Sequence, residues 1–380
     1  MGKQVSLASP YDSGEVWITE AHGLYFLSSV DGVFLPGSSD SLDEESFGNG
    51  PRQAANAYGE IVRRLGLIGL TGAEVVRIEH ATASQDWRPQ RMALWPDFFG
   101  LPTTAVSQGY QGKMVRQNMI SVASMAAGPN ISRKIVTPGP NSGRASRVTV
   151  VDQLVFVIGV RGETLLSGGG QVPDGKAEHV AAHVERSLWN IEHHLKSAGL
   201  SRSSILRLDA FVRTHRDAAV LKSTFERFFP SEQDRPTLAV VACPLGGQTD
   251  IEVSAIATPG RVSRQFGSSD SSTPSLSATD KFAYVGNMMS SFCRFEANVR
   301  GSLSEQVEIG LLRLHAELQR IGLDLSSVVR LDVYAACQYD FEVIRSHMVS
   351  NHPSLKAAIA WHGIDLPDLN SVDFSAIVAR

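Results

Sequence analysis

Cysteine is scarce in this sequence, and long hydrophobic runs are missing. The 380 residues include three cysteines, Cys243, Cys293 and Cys337, which are widely spaced and form no CxxC pair. This odd, scattered set argues against a disulfide framework and favours a reducing compartment. No stretch approaches the roughly 20 apolar residues that a membrane-spanning helix needs, and no basic segment followed by an apolar stretch opens the chain. The sequence therefore predicts a cytoplasmic protein that does not enter a membrane.

A surplus of either charge is missing as well. The chain has 35 Lys and Arg against 39 Asp and Glu, and the basic residues are scattered along it. Such a balance offers no electrostatic footprint for nucleic acid or for an anionic membrane, so neither is an expected partner. The hydrophobic content of 43% is that of an ordinary globular protein, and the length suits two or three domains.

What the sequence does contain is one pattern repeated three times. An amphipathic helix is followed by a short strand rich in Val, Ile and Leu, and then by a second helix. The first helices end at Gly66, Gly199 and Gly322, as expected for a left-handed helix stop. An apolar strand or hairpin precedes each helix pair and two strands follow it, while Gly, Pro and Ser at 126–146 and 258–280 predict linkers. We predict an α/β (α+β) protein of three tandem β-β-α-β-α-β-β units, at residues 1–135, 136–262 and 275–380.

The second unit resembles the Rid family of reactive-intermediate deaminases (YjgF type) almost from end to end. The resemblance is carried by NIEHHLKSAGLSRSSILRLDAFV, by FERFFP and by DRPTLAVVACPLGGQTDIEVSAIA. The third unit is similar to the same family more weakly, and the first more weakly again. The resemblance implies chorismate-mutase-like units that assemble as trimers, with helices outside and a ligand cleft between neighbours. Three copies in one chain would form an intramolecular pseudo-trimer, which is a monomer by chain count.

The resemblance also implies two catalytic residues in the second unit. Arg235 in RPT matches the arginine that binds the substrate carboxylate, and Glu252 in DIEVS matches the glutamate that holds the attacking water. A guanidinium group can bind a carboxylate through two parallel hydrogen bonds. A carboxylate can accept a proton from water as that water attacks an imine carbon. We therefore expect Arg235 and Glu252 to act together on a small carboxylate substrate.

The other two units differ at these positions. The third unit has Lys356 and Asp373 at the same mutual spacing, and the first has Leu101 and Asn118. A lysine is a point charge, so it would hold an anion less firmly than the arginine fork does. The pair in the first unit is lost altogether. The resemblance therefore predicts three unequal clefts, with the second unit contributing the favoured one.

The opposite wall of such a cleft comes, by resemblance, from a serine-glycine pair after an early strand. The matching positions hold Ser28 in the first unit, Gly159 in the second, and Gly286 followed by Asn287 in the third. Only the first unit keeps the serine. The sequence leaves open which neighbouring unit completes the favoured cleft.

Extra positive charge is expected around the clefts. Lys222 and Arg345 stand on the second helix, where the family often has asparagine, and Asn141 falls closest to the aromatic residue found near the family's cleft entrance. These departures favour a substrate more acidic than that of the ordinary deaminases, such as a dicarboxylate or an aromatic acid.

Metal and thiol chemistry are not expected. His179 and His183 in HVAAH are four residues apart and share a helix face, which is a workable metal spacing. No HExxH glutamate lies between them and no third ligand is evident, so we predict partly solvated helix residues. Cys243 has no histidine near it in the sequence that would activate a thiolate. We expect no metal ion and no cofactor.

The leading hypothesis for function is hydrolytic deamination of an imine or enamine of a small nitrogen-bearing carboxylic acid, as the resemblance implies. Two other hydrolytic hypotheses come from similar folds: cleavage of an enol-ether acid, as in chorismatases, and ring opening of a cyclic amide. The paired Ser and Lys signature of the ring-opening enzymes is not visible in the repeats. A non-catalytic module that binds a small ligand is the remaining alternative.

Overall fold

The computed structural model describes most of the chain. The described residues are 5–8, 16–38, 41–114, 117–138, 145–162, 176–245, 249–266, 273–289, 301–366 and 370–380. Asn141 and Cys293 lie outside these ranges. In the described part of the chain, no helix combines the length and apolar character needed to cross a membrane.

In the described residues of the first segment (5–127) there are six strands and three α-helices. The strands are β1 (Val5–Ala8), β2 (Val16–Ala21), β3 (Leu24–Asp31), β4 (Val75–Thr82), β5 (Val106–Gln111) and β6 (Ile120–Ala127), and the helices are α1 (Gly50–Gly66), α2 (Arg88–Ala93) and α3 (Trp95–Phe99). The second helix of the predicted repeat is split here into α2 and α3. Pro96 explains the break, because proline fits the first turn of a helix and not its interior.

The second and third segments, residues 133–257 and 263–379, follow the same order of elements. The second contains β7 (Arg133–Pro138), β8 (Ser146–Val151), β9 (Leu154–Arg161), α4 (Lys176–Ser197), β10 (Ile205–Val212), α5 (Asp217–Phe228), β11 (Thr237–Ala242) and β12 (Ile251–Ala257). The third contains β13 (Ser263–Gln265), β14 (Leu276–Ala278), β15 (Phe282–Val285), α6 (Leu303–Gln319), β16 (Val328–Ala335), α7 (Phe341–Asn351), β17 (Ala358–Gly363) and β18 (Val372–Ala379).

The strands of each segment also pair in the same order. In the first segment the order is β1-β2-β3-β6-β4-β5, and the equivalent orders in the other two are β7-β8-β9-β12-β10-β11 and β13-β14-β15-β18-β16-β17. The last pair of each set is parallel, so a helix must cross over between its strands. The prediction placed two strands before the first helix, and the structure has three. The additional strands β7 and β13 lie in stretches predicted to be linkers, and the boundary expected at residue 135 falls inside β7.

Each sheet is buried on both faces. One face packs against the helices of its own segment, as Ile61 of α1 does against Val122 of β6. The other face contributes to a core shared by all three segments, where Phe26, Phe156 and Tyr284 meet. Continuous apolar strands such as TLAVVA in β11 are typical of sheets that are covered on both sides.

Contacts between strands link the three segments in a closed cycle. The first segment meets the second where β5 pairs with β8. The second meets the third through the Thr237 hydroxyl, which is 2.7 Å from that of Ser277. The third returns to the first where the Ile359 amide donates to the Ser28 hydroxyl at 2.8 Å. Each segment therefore contacts both of the others.

A ring of buried ion pairs also joins the three segments. An Arg-x-Asp/Glu pattern recurs in β4, β10 and β16 and supplies Arg77 and Glu79, Arg207 and Asp209, and Arg330 and Asp332. Each arginine pairs with the acid of its own strand and with an acid of another segment. Burial opposes ionisation of Asp332, but the charges of Arg330 and Arg207 hold its pKa well below the usual range. The carboxylates are therefore ionised in the core, which stays favourable only while every charge keeps its partners.

Candidate functional site

Arg235 and Glu252 lie towards opposite ends of the second segment's sheet. Glu252 of β12 is aligned with Phe211 of β10, which is in turn aligned with Val241 of β11. Arg235 precedes Val241 by six residues, about 20 Å of extended chain. Its Nε donates to the Phe229 carbonyl at 2.8 Å, which holds the guanidinium within its own segment. The structure does not bring Arg235 and Glu252 into one site, contrary to expectation.

Glu252 lies instead beside Gly159, another expected site residue, and beside arginines that the sequence did not single out. Its Oε2 is 2.8 Å from Nε of Arg161 on β9. A side chain added at Gly159 would begin 3.6 Å from Glu252 Oε1 and 3.3 Å from Nη1 of Arg147 on β8. Gly159 has a φ of 66°, in the left-handed region that favours glycine. Glycine therefore leaves space in front of the carboxylate.

The first segment contributes a further arginine to this region. Arg91 of α2 is only 2% exposed, and no hydrogen bond from the described residues reaches its Nε. Its guanidinium lies 5.8 Å from the ring centre of Trp87, and its Nη2 is 3.1 Å from the position that a β-carbon on Gly109 would take. Burial lowers the pKa of Arg91, and the charge of Glu252 partly offsets that effect.

We call this site the arginine cleft, and its members are Arg91, Arg147, Gly159, Arg161 and Glu252. Within the described residues, these three guanidinium groups are accompanied by the one carboxylate of Glu252, so positive charge exceeds negative charge among the members of the cleft. Burial also lowers the pKa of Arg147, which shows that its charge is poorly solvated. Buried charge without a counter-charge is unfavourable. An anionic ligand would supply that counter-charge, and guanidinium forks suit carboxylates best.

The serine and asparagine predicted for the opposite wall are engaged by backbone groups. The Ser28 hydroxyl donates to the Val16 carbonyl at 2.5 Å and accepts from the Ile359 amide at 2.8 Å. Asn287 Oδ1 accepts from the Val240 amide at 2.5 Å. Both side chains therefore join two segments: Ser28 links the first with the third, and Asn287 links the third with the second.

The predicted cationic residues lie on other elements. Lys222 is half-buried on α5, Lys356 is exposed ahead of β17, and Arg345 on α7 pairs with the exposed Glu342 at 2.5 Å. All belong to the crossovers between parallel strands in the second and third segments. The arginine cleft is built from α2, β8, β9 and β12.

Three side chains were considered for thiol or metal chemistry, namely Cys243, His179 and His183. Burial raises the pKa of the Cys243 thiol well above its usual value, and the charge of Glu252 adds to the effect, so the thiol stays protonated. His179 and His183 do have a third partner, because their Nδ1 atoms lie 2.7 and 2.9 Å from Asp250 Oδ2. The expectation of two partly solvated histidines without a third ligand is wrong. Asp250 is distant in sequence and is brought to them by the loop ahead of β12.

Asp373 of β18 occupies the position in the third segment that matches Glu252. Its Oδ1 accepts from the Met289 amide at 2.8 Å and from the Phe374 amide at 2.7 Å. Burial raises the pKa of Asp373 to about 7, although these hydrogen bonds act in the opposite direction. This carboxyl is therefore partly protonated near neutral pH, unlike an ordinary aspartate.

We expect Asp373→Asn to stabilise the protein more at pH 8 than at pH 5. The pKa of Asp373 is higher in the folded chain than in the unfolded chain, so its contribution is full at low pH and is lost as the pH rises through about 7. Asparagine keeps the acceptor oxygen and has no proton to lose. Urea denaturation at both pH values should show the variant gaining on the order of 1–3 kcal/mol relative to the wild type. The same difference at both pH values would contradict the prediction.

Part of the chain is similar in sequence to known proteins. The model of the endoribonuclease L-PSP family matches residues 145–259, which hold four of the five members of the arginine cleft. The 2-iminobutanoate/2-iminopropanoate deaminase of Salmonella typhimurium is 30% identical over 110 residues, which cover 27% of this chain and 86% of that protein. A RutC family protein of Haemophilus influenzae is 28% identical over 102 residues, which cover 24% of this chain and 78% of that protein.

A solved structure resembles most of the chain in fold. The crystal structure of a chorismatase aligns with a TM-score of 0.51 and 13% identity, covering 81% of this chain and 93% of that one. The likeness is one of fold, and it extends well beyond the residues that the family model matches. Because the deaminase is covered over 86% of its length at 30% identity, and the family model matches as well, this chain belongs to the Rid (YjgF) family.

Proposed function

We propose that this chain hydrolyses a small carboxylic acid in the arginine cleft, most simply the imine or enamine of a nitrogen-bearing acid. The observation that carries the proposal is the buried carboxylate of Glu252, which pairs with Arg161 and lies near Arg147 across Gly159, while the charge of Arg91 from the first segment also acts on it. The 30% identity to a 2-iminobutanoate/2-iminopropanoate deaminase supports the reaction type.

In the proposed reaction the arginines bind the acidic groups of the substrate, and Glu252 accepts a proton from the attacking water. Arg161 and Arg147 would hold the substrate carboxylate, and Arg91 would bind a second acidic group. Water adds to the imine carbon while Glu252 accepts a proton from it. Glu252 passes that proton to the nitrogen, which gives a carbinolamine. The hydroxyl proton of this intermediate is then transferred to the nitrogen as the C–N bond breaks, so ammonia leaves and a keto acid remains. Glycine at position 159 leaves room for the reacting carbon beside Glu252 Oε1.

Hydrolysis of a cyclic enol-ether acid is a second candidate. The excess of guanidinium groups suits a substrate with two carboxylates better than one with a single carboxylate. The chorismatase whose fold resembles 81% of this chain makes such a substrate worth testing. The same groups would act: arginines on the carboxylates, and Glu252 on the water.

We also propose that the three segments form an intramolecular pseudo-trimer. The closed cycle of strand contacts and the ring of ion pairs support this arrangement, since both pass through all three segments. Light scattering on the purified protein is expected to give the mass of one chain. A mass of three chains would show that the chain forms trimers, as its single-unit relatives are expected to do.

The substrate proposals are separated by the products. Purified protein is supplied in turn with 2-iminopropanoate, generated in place by a dehydratase, and with chorismate. Faster release of ammonia than in buffer supports deamination, and release of pyruvate from chorismate supports the second candidate. Calorimetric binding of either acid without turnover would show a ligand-binding module and would overturn both hydrolytic proposals.

A further inference from the structure

The helix layer of the third segment carries another group of donor side chains, on elements that contribute nothing to the arginine cleft. Glu308 of α6 lies between His347 of α7 and His352, the residue that follows α7. The Nε2 atoms of both histidines are 2.9 Å from Glu308 Oε2, and the three donor groups lie within 4.8 Å of one another. We propose that this α6–α7 cluster is a binding site for a divalent transition-metal ion, with zinc as its preferred occupant.

The donor set and its spacing suit zinc. Two imidazoles and one carboxylate, with water as a fourth ligand, form a common zinc environment. Metal–ligand bonds of about 2.0–2.2 Å place tetrahedral donors about 3.3 Å apart. Each histidine Nε2 therefore needs to move away from Glu308 Oε2 by only a few tenths of an ångström. The side chains of His347 and His352 are 15% and 12% exposed, and that of Glu308 is 38% exposed. The carboxylate therefore borders solvent, which leaves a position open for water.

The surroundings favour a cation at this place. His352 follows the C-terminal end of α7, where the helix dipole puts partial negative charge. Hydrogen bonds from His347 and His352 lower the pKa of Glu308, so this carboxylate is ready to share its charge with a cation. The Nδ1 atom of His347 is 3.2 Å from the side-chain amide of Asn351. With that amide turned over, Oδ1 of Asn351 would accept a hydrogen bond from Nδ1–H and fix the histidine for metal binding through Nε2.

The other histidine cluster is less suited to a metal ion. Asp250, the carboxylate shared by His179 and His183, also pairs with Arg213 at 3.5 Å. That guanidinium would repel a divalent cation. Both histidines lie near the N-terminal end of α4, where the helix dipole is positive as well. This cluster therefore serves as a matched comparison, with the same residue types in an unfavourable field.

The second segment offers an internal comparison. Its positions equivalent to Glu308, His347 and His352, aligned on Gly199 and Gly322, are Glu185, Thr224 and Phe229. The two histidines of the third segment thus have no counterparts in the second. A repeat that needed them for folding alone would be expected to have them in both places.

The test is a zinc titration of tag-free, full-length protein that has been stripped with a chelator and dialysed. Isothermal calorimetry with zinc sulfate is expected to show one tight equivalent per chain. His347→Gln and His352→Gln should each weaken that equivalent at least tenfold, and about 100-fold where a ligand is lost completely. His179→Gln and His183→Gln are the matched controls and should leave the affinity within a factor of about two.

Three outcomes would overturn the proposal. They are no zinc binding by the wild-type protein at micromolar concentration, unchanged binding after either cluster substitution, and loss of the tight equivalent in a control variant instead. If a histidine variant fails to fold, Glu308→Gln takes its place, because it keeps the hydrogen-bonding shape and removes the charge; it should also weaken zinc at least tenfold. Proteins without added zinc are compared by thermal unfolding, so that a change in stability is not mistaken for a change in affinity.

Discussion

Arg207→Met is expected to lower the free energy of unfolding by about 3–5 kcal/mol. Arg207 of β10 donates from Nε to Asp209 at 2.6 Å and from Nη2 to Asp332 at 3.1 Å, and it also contacts the Ser375 hydroxyl. All four side chains are buried. Methionine fills similar volume but leaves two carboxylates without one of their counter-charges. The loss should therefore far exceed that of an exposed ion pair.

Urea denaturation measures the effect, with Lys281→Met as the control. Lys281 pairs with Asp152 at 2.6 Å and also joins the second and third segments, but the two side chains are 34% and 38% exposed. An exposed pair contributes about 0–1 kcal/mol, so the two variants should differ by at least about 2 kcal/mol. Similar losses would show that the buried ring does not hold the segments together. If Arg207→Met yields no folded protein, Arg207→Lys is used instead. Lysine keeps one positive charge but cannot form two parallel hydrogen bonds, so its loss in the free energy of unfolding should lie between the losses of Arg207→Met and Lys281→Met.

The order of helices and strands could be predicted because each segment repeats one apolar pattern. The ends of the long helices are marked locally by glycine, and Gly199 and Gly322 have the left-handed backbone that was predicted. The prediction of such a stop at Gly66 is wrong: Gly66 is the last residue of α1, and the left-handed glycine that follows this helix is Gly69. The strands β7 and β13 were missed because they are short, polar and placed among Gly, Pro and Ser. What makes β7 a strand is its pairing with β8, and a partner strand is not visible in the local sequence.

The ring of buried ion pairs could not be predicted from the sequence, for a different reason. The Arg-x-Asp/Glu pattern is present in the sequence at VVRIEHA, ILRLDAF and VVRLDVY, each time inside an otherwise apolar strand. A charged residue in such a strand looks unfavourable until a second segment supplies its partner. The partners of Arg77 and Arg207 are 132 and 125 residues away along the chain. Only the packing of the segments reveals them.

The site was predictable to the extent that it lies on neighbouring strands of one segment. Gly159 and Glu252 were both singled out, and β9 and β12 bring them together. Arg161 could have been found as well, since it is two residues after Gly159 and directly opposite Glu252. Arg91 could not, because it comes from another segment. Arg235 was expected next to Glu252 from the family resemblance, but the strand pairing puts the two residues towards opposite ends of the sheet, which a match of single positions does not reveal.

Glu252→Gln is expected to lower kcat on the true substrate by about 10²-fold or more, in a protein that still folds. Glutamine keeps the size of the side chain and a hydrogen-bond acceptor, but it cannot take a proton from water. The ion pair with Arg161 is lost, and the buried Arg147 loses the charge of Glu252 as well, so the free energy of unfolding should also fall, by roughly 1–3 kcal/mol. The measurement is steady-state kinetics on whichever acid the product assays identify, together with urea denaturation of both proteins.

Asp373→Asn is the informative comparison, because Asp373 is the matching carboxyl of the third segment. The arginine cleft is the reacting site only if the Glu252 variant loses far more activity than the Asp373 variant. If the Asp373 variant instead loses far more activity than the Glu252 variant, Asp373 is the reacting carboxyl. Burial raises its pKa to about 7, a value suited to proton transfer near neutral pH. Equal and large losses would show that two clefts act in the same turnover. Because the three segments carry different residues at equivalent positions, one substitution changes one cleft at a time, which a trimer of identical chains would not allow.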